Sequence, residues 1–160
     1  MALGDNTLRS AAGNSQRGRN PYMVQTTLNW ATALSDKGSA LAAADVIPVI
    51  AVPKGTMVLN AGIEVDTATD GSTFTVDLGM VDADVFVDGF DATSAAAVVA
   101  QNPAAYQPVM AVADDNIDVT IASLSGGAVT SGKFRVWAVL MDCTDTGDTA
   151  ANEVDRDTLA

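Results

Sequence analysis

The sequence predicts an all-β protein: a single antiparallel β-sandwich, jelly-roll-like, with an extended N-terminal arm. Three observations predict it. Short apolar stretches repeat with period two, which points side chains to alternate faces of a strand. Gly, Pro and Asp-Gly turn signals separate about seven or eight such stretches, at the spacing of roughly 8–12 residues that sandwiches use. Long amphipathic helical periodicity is missing. With 160 residues, 48% of them hydrophobic and 18% charged, there is material for one packed domain.

Met1 to Pro21 (MALGDNTLRSAAGNSQRGRNP) is rich in Gly, Ser, Asn and Arg and has no period. Residues 1–21 therefore read as a basic arm with no core of its own, and residues 22–143 as the sandwich. In YMVQTTLNW, Tyr22, Val24, Leu28 and Trp30 alternate with Gln25, Thr27 and Asn29, so a strand is expected. Ala31 to Asp45 is Ala- and Ser-rich around Gly38 and fits a loop or a short helical turn equally well. VIPVIAV (Val46 to Val52) is β-branched. Its Pro48 lacks an N–H and assigns the strand to an edge or a bulge. Pro53-Lys54-Gly55 reads as a type I turn, with Pro pre-setting the first central dihedral.

In TMVLNAGIEVDT the expected inward set is Met57, Leu59, Ala61, Ile63 and Val65. In STFTVDLGM it is Phe74, Val76, Leu78 and Met80. Asp70-Gly71 between them reads as a tight hairpin, because that dipeptide tolerates positive φ. A short strand is expected over Asp84 to Phe90, then a loop from Asp91 to Pro108 with room for one helical turn. NIDVTIASL alternates Ile117, Val119 and Ile121, Ser125 to Gly132 is a turn region, and Lys133 to Cys143 (KFRVWAVLMDC) is the last strand. Residues 144–160 read as an acidic tail.

Composition narrows the function. Histidine is absent, so imidazole bases and ligands are unavailable. The lone Cys143 permits no intrachain disulfide and no usual zinc set. It reads as a small buried hydrophobe. The 20 acids against 8 basic residues give a net charge of −12, which disfavours a nucleic-acid partner. No apolar run is long enough for a membrane span. No secretory signal opens the chain, and a single thiol suits folding in a reducing cytoplasm. Asp82, Asp84, Asp88 and Asp91 form the densest acidic cluster, but their spacing does not match the twelve-residue calcium loop. They read as turn-capping, solvated aspartates, as do Asp114-Asp115 and Asp142, Asp145 and Asp148. No catalytic site, cofactor or metal is expected.

The final strand is the most informative. Phe134, Val136, Ala138 and Leu140 form one apolar face, and Trp137, Val139 and Met141 make the opposite face apolar too. A strand with one solvated face should alternate with polar residues, so something covers the second face. The cover is either the chain itself, around Tyr22 to Trp30, or another subunit, since Trp and Met are enriched at interfaces. Arg9, Arg17 and Arg19 give the chain a net +2 up to residue 35, leaving −14 on the remainder. These arginines are either a solvated tail or a strap for an acidic groove on a neighbour. The candidate interface residues are thus Trp137, Val139, Met141, Arg9, Arg17, Arg19 and Tyr22.

The ordered string VIPVIAVPKGTMVLNAGIEVDTATDGSTFTVDLGM, an acidic loop, NIDVTIASL and GKFRVWAVLMDC resembles the small head decoration or cement proteins of tailed, especially marine, bacteriophages. The resemblance covers roughly Asp45 to Cys143. It implies a capsid-stabilising structural protein, not an enzyme, on the outer surface of an icosahedral head, assembled in the host cytoplasm. The implied partners are the major capsid protein and further copies of itself, as a trimer or dimer at a symmetry axis. A tail or fibre component, or a carbohydrate-binding virion module with Tyr106 as its stacking residue, is the alternative.

Overall fold

The computed structural model describes residues 21–93, 99–100 and 108–143. Its elements are β1 (Tyr22–Asn29), α1 (Trp30–Lys37), β2 (Val46–Val52), β3 (Thr56–Thr67), β4 (Thr73–Gly79), β5 (Val87–Asp91), β6 (Val99–Ala100), β7 (Val109–Met110), β8 (Asp115–Ser125) and β9 (Lys133–Asp142). Apart from Pro21, the expected arm and tail lie outside the described residues, as does most of the Asp91 to Pro108 loop.

Two antiparallel sheets form. One has the order β1-β9-β3-β6, with β7 also on β3; the other has the order β2-β8-β4-β5. The two orders match rung for rung, so β1/β2, β9/β8, β3/β4 and β6/β5 occupy equivalent places in the two layers. That doubled ribbon is the jelly-roll arrangement, and it confirms the expected all-β sandwich. It also corrects one expectation. β3 and β4 lie in different sheets, so Asp70-Gly71 is a corner between layers and not a hairpin. Gly71 has no positive φ. Asp70 instead turns its carboxylate onto the β8–β9 loop, accepting from Thr130 N at 2.9 Å, Ser131 N at 3.1 Å and the Thr130 hydroxyl.

The core lies between the sheets. Val58, Ala61, Ile63, Val65, Phe74, Val76, Leu78, Ile117, Val119, Ile121, Phe134, Val136 and Ala138 are all fully buried, and each such side chain contributes about 1.5–3 kcal/mol when large and apolar. Trp30 sits at the centre of an aromatic group, edge-on to Phe74 at 4.8 Å and to Phe134 at 5.2 Å between ring centroids. It begins α1 rather than ending β1. Asn29 caps that helix by accepting from Ala31 N at 3.0 Å. Gly38 closes it in the left-handed conformation.

Departures from the expected pattern have local causes. In β3 the pairing with β9 slips between Val58 and Asn60, so Leu59 is an extra residue and the side-chain phase flips there. Val58 points inward and Met57 outward, the reverse of a strict alternation. The β2–β3 turn carries its glycine at φ +83°, with Thr56 N donating to Pro53 O at 3.1 Å. Pro53 is thus the first corner residue and the turn is type II, not type I. Pro48 behaves as expected: β2 is an edge strand whose register shifts between Pro48 and Ile50. β5 starts at Val87, later than expected, because Met80 to Phe86 folds back tightly. A Cβ on Gly79 would lie 1.8 Å from Asp82 O, so only glycine fits.

Candidate interaction surface

The site is built from strand parity. Inward Phe134, Val136, Ala138 and Leu140 force Arg135, Trp137, Val139 and Met141 outward, and residues directly opposite in an antiparallel pair share a face. Four cross-strand rows follow. Met141 faces Met57, which faces Met110. Val139 lies between Met23 and Asn60, Trp137 between Gln25 and Gly62, and Arg135 between Thr27 and Glu64. The last row ends in an ion pair, Arg135 Nη1 to Glu64 Oε2 at 2.9 Å. The outer face of this sheet thus grades from methionines at one end to a salt bridge at the other. Four of the chain's six methionines lie on it.

Met23 is 64% exposed, Met110 is 37% exposed, and Trp137, Val139 and Met141 are half-buried. β1 lies beside β9 within the sheet and does not cover its face, so Tyr22 to Trp30 is not the intrachain lid. The rows bring three of the expected residues together: Trp137, Val139 and Met141. Tyr22 is placed elsewhere. It pairs with inward-facing Leu140 and projects on the core side of the sheet at its rim, 45% exposed. Arg9, Arg17, Arg19 and Tyr106 lie outside the described residues. Met23, Met57 and Met110 were missed; the bulge hid Met57, and Met23 stood between two apolar neighbours.

Next to Val139, the Asn60 side-chain oxygen is buried without a hydrogen-bond partner. Such an orphan acceptor costs about 1–3 kcal/mol. The wide, adaptable contact area of Met and Trp is of the kind found at protein interfaces.

The other sheet's outer face is different. There, Thr75 and Asp77 of β4, Asn116, Asp118 and Thr120 of β8 and Asp91 of β5 alternate with the core residues. Desolvation and then the charge of Asp115 hold the Asp118 carboxyl above its ordinary range. Repulsion from Asp82 does the same to Asp84. Hydrogen bonds from Thr130 hold Asp70 far below it, and those from Lys37 and Ala42 lower Asp45. Among the described residues no group of three or more His, Cys, Asp or Glu could hold a metal ion. Cys143 is half-buried, not buried, and its N–H donates to Gly55 O at 2.8 Å. An open depression of about 290 Å³ beside α1 is lined by Leu41, Ile47, Pro48 and the Lys37–Asp45 ion pair.

Comparison with solved structures gives the fold its relatives. One match is a chain of the cyanophage Pam1 capsid asymmetric unit: TM-score 0.58 and 18% identity, over 88% of this chain and 97% of that one. A second is a chain of the capsid of Ralstonia phage GP4: TM-score 0.58 and 17% identity, over 86% of this chain and 93% of that one. Both belong to phage capsids. At this identity the likeness is one of fold. No family model and no curated protein matches the sequence.

Proposed function

We propose that the protein is a capsid decoration, or cement, subunit of a tailed bacteriophage. It seats on the outer surface of an icosahedral head through the outward face of β1, β9 and β3. The observation that carries this reading is that face itself: Trp137, Val139 and Met141, joined by Met23, Met57 and Met110, where a solvated sheet would carry polar residues. The fold relatives support it. Their near-complete mutual coverage makes each a polypeptide almost as long as this one.

The partner is the major capsid protein, and the work is mechanical. A subunit that binds the assembled lattice and not dissociated capsomers stabilises the lattice by about 2.7 kcal/mol per site at a hundredfold excess over Kd. A shell repeats that site many times, against outward pressure from packaged DNA. Arg9, Arg17 and Arg19 add a cationic strap to acidic patches of the neighbour.

The test is incorporation into particles. Trp137→Asp should leave a folded chain that fails to join heads, and heads lacking it should rupture sooner on heating. Normal incorporation of the variant overturns the assignment of the face. A copy count by mass spectrometry tests the location, with many copies per head expected. A handful per particle would mean a tail component.

A further inference from the structure

All the sulfur in the chain comes from six methionines and one cysteine, and register gathers four of those side chains at one pole of the sandwich. Met57 of β3 stands opposite Met141 of β9 on one side and Met110 of β7 on the other. Residues directly opposite share a face, so all three point outward. Cys143 follows Met141 two residues on and keeps its parity. Its N–H donates to Gly55 O at 2.8 Å, which extends the β3–β9 ladder past Asp142. Its thiol turns back along the strand, with Sγ 3.6 Å from Met141 O.

The ladder fixes how far apart these backbones stand. Antiparallel strands alternate hydrogen-bonded pairs, with Cα atoms about 5.5 Å apart, and non-hydrogen-bonded pairs at about 4.5 Å. The Cys143–Gly55 bond makes Met141 and Met57, two residues along, a hydrogen-bonded pair. On the other side Ala111 N donates to Thr56 O at 2.9 Å. Met57 and Met110 are therefore the closer, non-hydrogen-bonded kind. A methionine side chain has three rotatable bonds and a polarizable thioether, which lets three sulfurs meet above Met57. All four residues are partly exposed, so an ion from solvent reaches them without the sheet opening.

The donor set decides what binds. Thioether and thiolate sulfur is soft and selects copper(I). Calcium and magnesium take oxygen ligands, and the Met141–Met57–Met110 row offers none from side chains. Zinc sites draw on histidine and several thiolates, whereas this chain has no histidine and one cysteine. Three neutral thioethers and one thiolate balance a single positive charge, not two. The chain's net charge of −12 favours the approach of any cation.

We propose that Met57, Met110, Met141 and Cys143 form a binding site for one soft monovalent cation, copper(I). On binding, the Cys143 thiol gives its proton to water and the thiolate sulfur bonds the metal, whose oxidation state does not change. The ion ties β9, β3 and the two-residue β7 together. The site belongs to the free chain and stands whether or not this face meets a capsid.

The experiment titrates the purified full-length chain with copper(I), without oxygen, in competition with bicinchoninate. Silver(I), a redox-inert stand-in, is then followed through the methionine methyl resonances. One copper(I) per chain and one released proton are expected. Silver(I) should shift the methyls of Met57, Met110 and Met141 and leave those of Met23 and Met80 in place. Met57→Leu nearly conserves volume, so it should keep the metal-free Tm while losing about tenfold or more in affinity. Cys143→Ser should also weaken binding and release no proton. Met23→Leu should bind as wild type, because Met23 lies in the next row, opposite Val139. Failure to draw copper(I) from bicinchoninate overturns the proposal, as does wild-type affinity in either Met57→Leu or Cys143→Ser. Silver(I) shifts at Met23 equal to those at Met57 overturn it too, since the ion then meets scattered thioethers and not a site.

Discussion

The two outer faces of the sandwich share one backbone architecture and almost nothing else. On the β1-β9-β3 sheet, the positions that alternate with the core include Met23, Met57, Trp137, Val139 and Met141, with Gln25, Thr27, Glu64 and Arg135 toward the far end. On the other sheet, the two central strands carry Thr75, Asp77, Asn116, Asp118 and Thr120 there, and the β2 edge adds exposed Val46, Pro48 and Ala51. Packing between the layers demands neither set. The acidic face satisfies part of itself internally, Asp77 accepting from Gly89 N and Thr75 bonding Ser123, whereas the apolar one leaves surface that gains by being covered. The difference shows that the core specifies the fold and leaves the outer residues free to differ.

The comparison is broken most severely from within. Phe134 and Trp137 stand on opposite sides of β9, and Phe134→Ala should cost about 3–5 kcal/mol in chemical denaturation. Trp137→Asp should cost only about 1 kcal/mol of strand preference while abolishing incorporation into heads. Asp77→Asn combined with Asp118→Asn should leave incorporation at the wild-type level, and a loss there would show that both faces bind.

Smaller effects sharpen the electrostatics. The folded pKa of Asp118 is raised from 3.8, so its ionised form is disfavoured in the folded chain. Asp118→Asn should therefore raise Tm at pH 7, and the gain should fade as the pH falls toward 3.8 and wild type protonates. Asp70 has the opposite sign. Its pKa is lowered, so its stabilisation is complete above 3.8 and disappears as the pH drops below that value. Asp70→Ala should lower Tm slightly at pH 7 and match wild type in strong acid, measured by thermal melts across pH.

Much of the architecture was legible in the chain. Phe74, Val76 and Leu78, then Ile117, Val119 and Ile121, then Phe134 to Leu140 alternate cleanly and bury as expected, because a half-buried strand writes its period into sequence. Pro48 named its edge for the same kind of reason. What failed was non-local. The extra residue at Leu59 carries no mark in the sequence, so Met57 was placed on the wrong side. Asp70-Gly71 has the composition of a hairpin, and only the placement of β3 and β4 in different sheets makes it a corner, where Asp70 binds Thr130, sixty residues away. The apolar outer face was visible on β9 alone. Met23 and Met110 join it only through register, which no single strand encodes.

The pairing of Tyr22 with Leu140 sets the first and last strands side by side, and Cys143 N anchors to Gly55 O at that same pole. Peptides spliced ahead of Tyr22 or behind Cys143 would consequently emerge together, beside the methionine row. The Gly126-Gly127 bend sits at the far pole with α1 and the Asp70 corner. For anyone wishing to present an antigen or enzyme on this scaffold, that bend is the insertion point that leaves the methionine-rich face unobstructed.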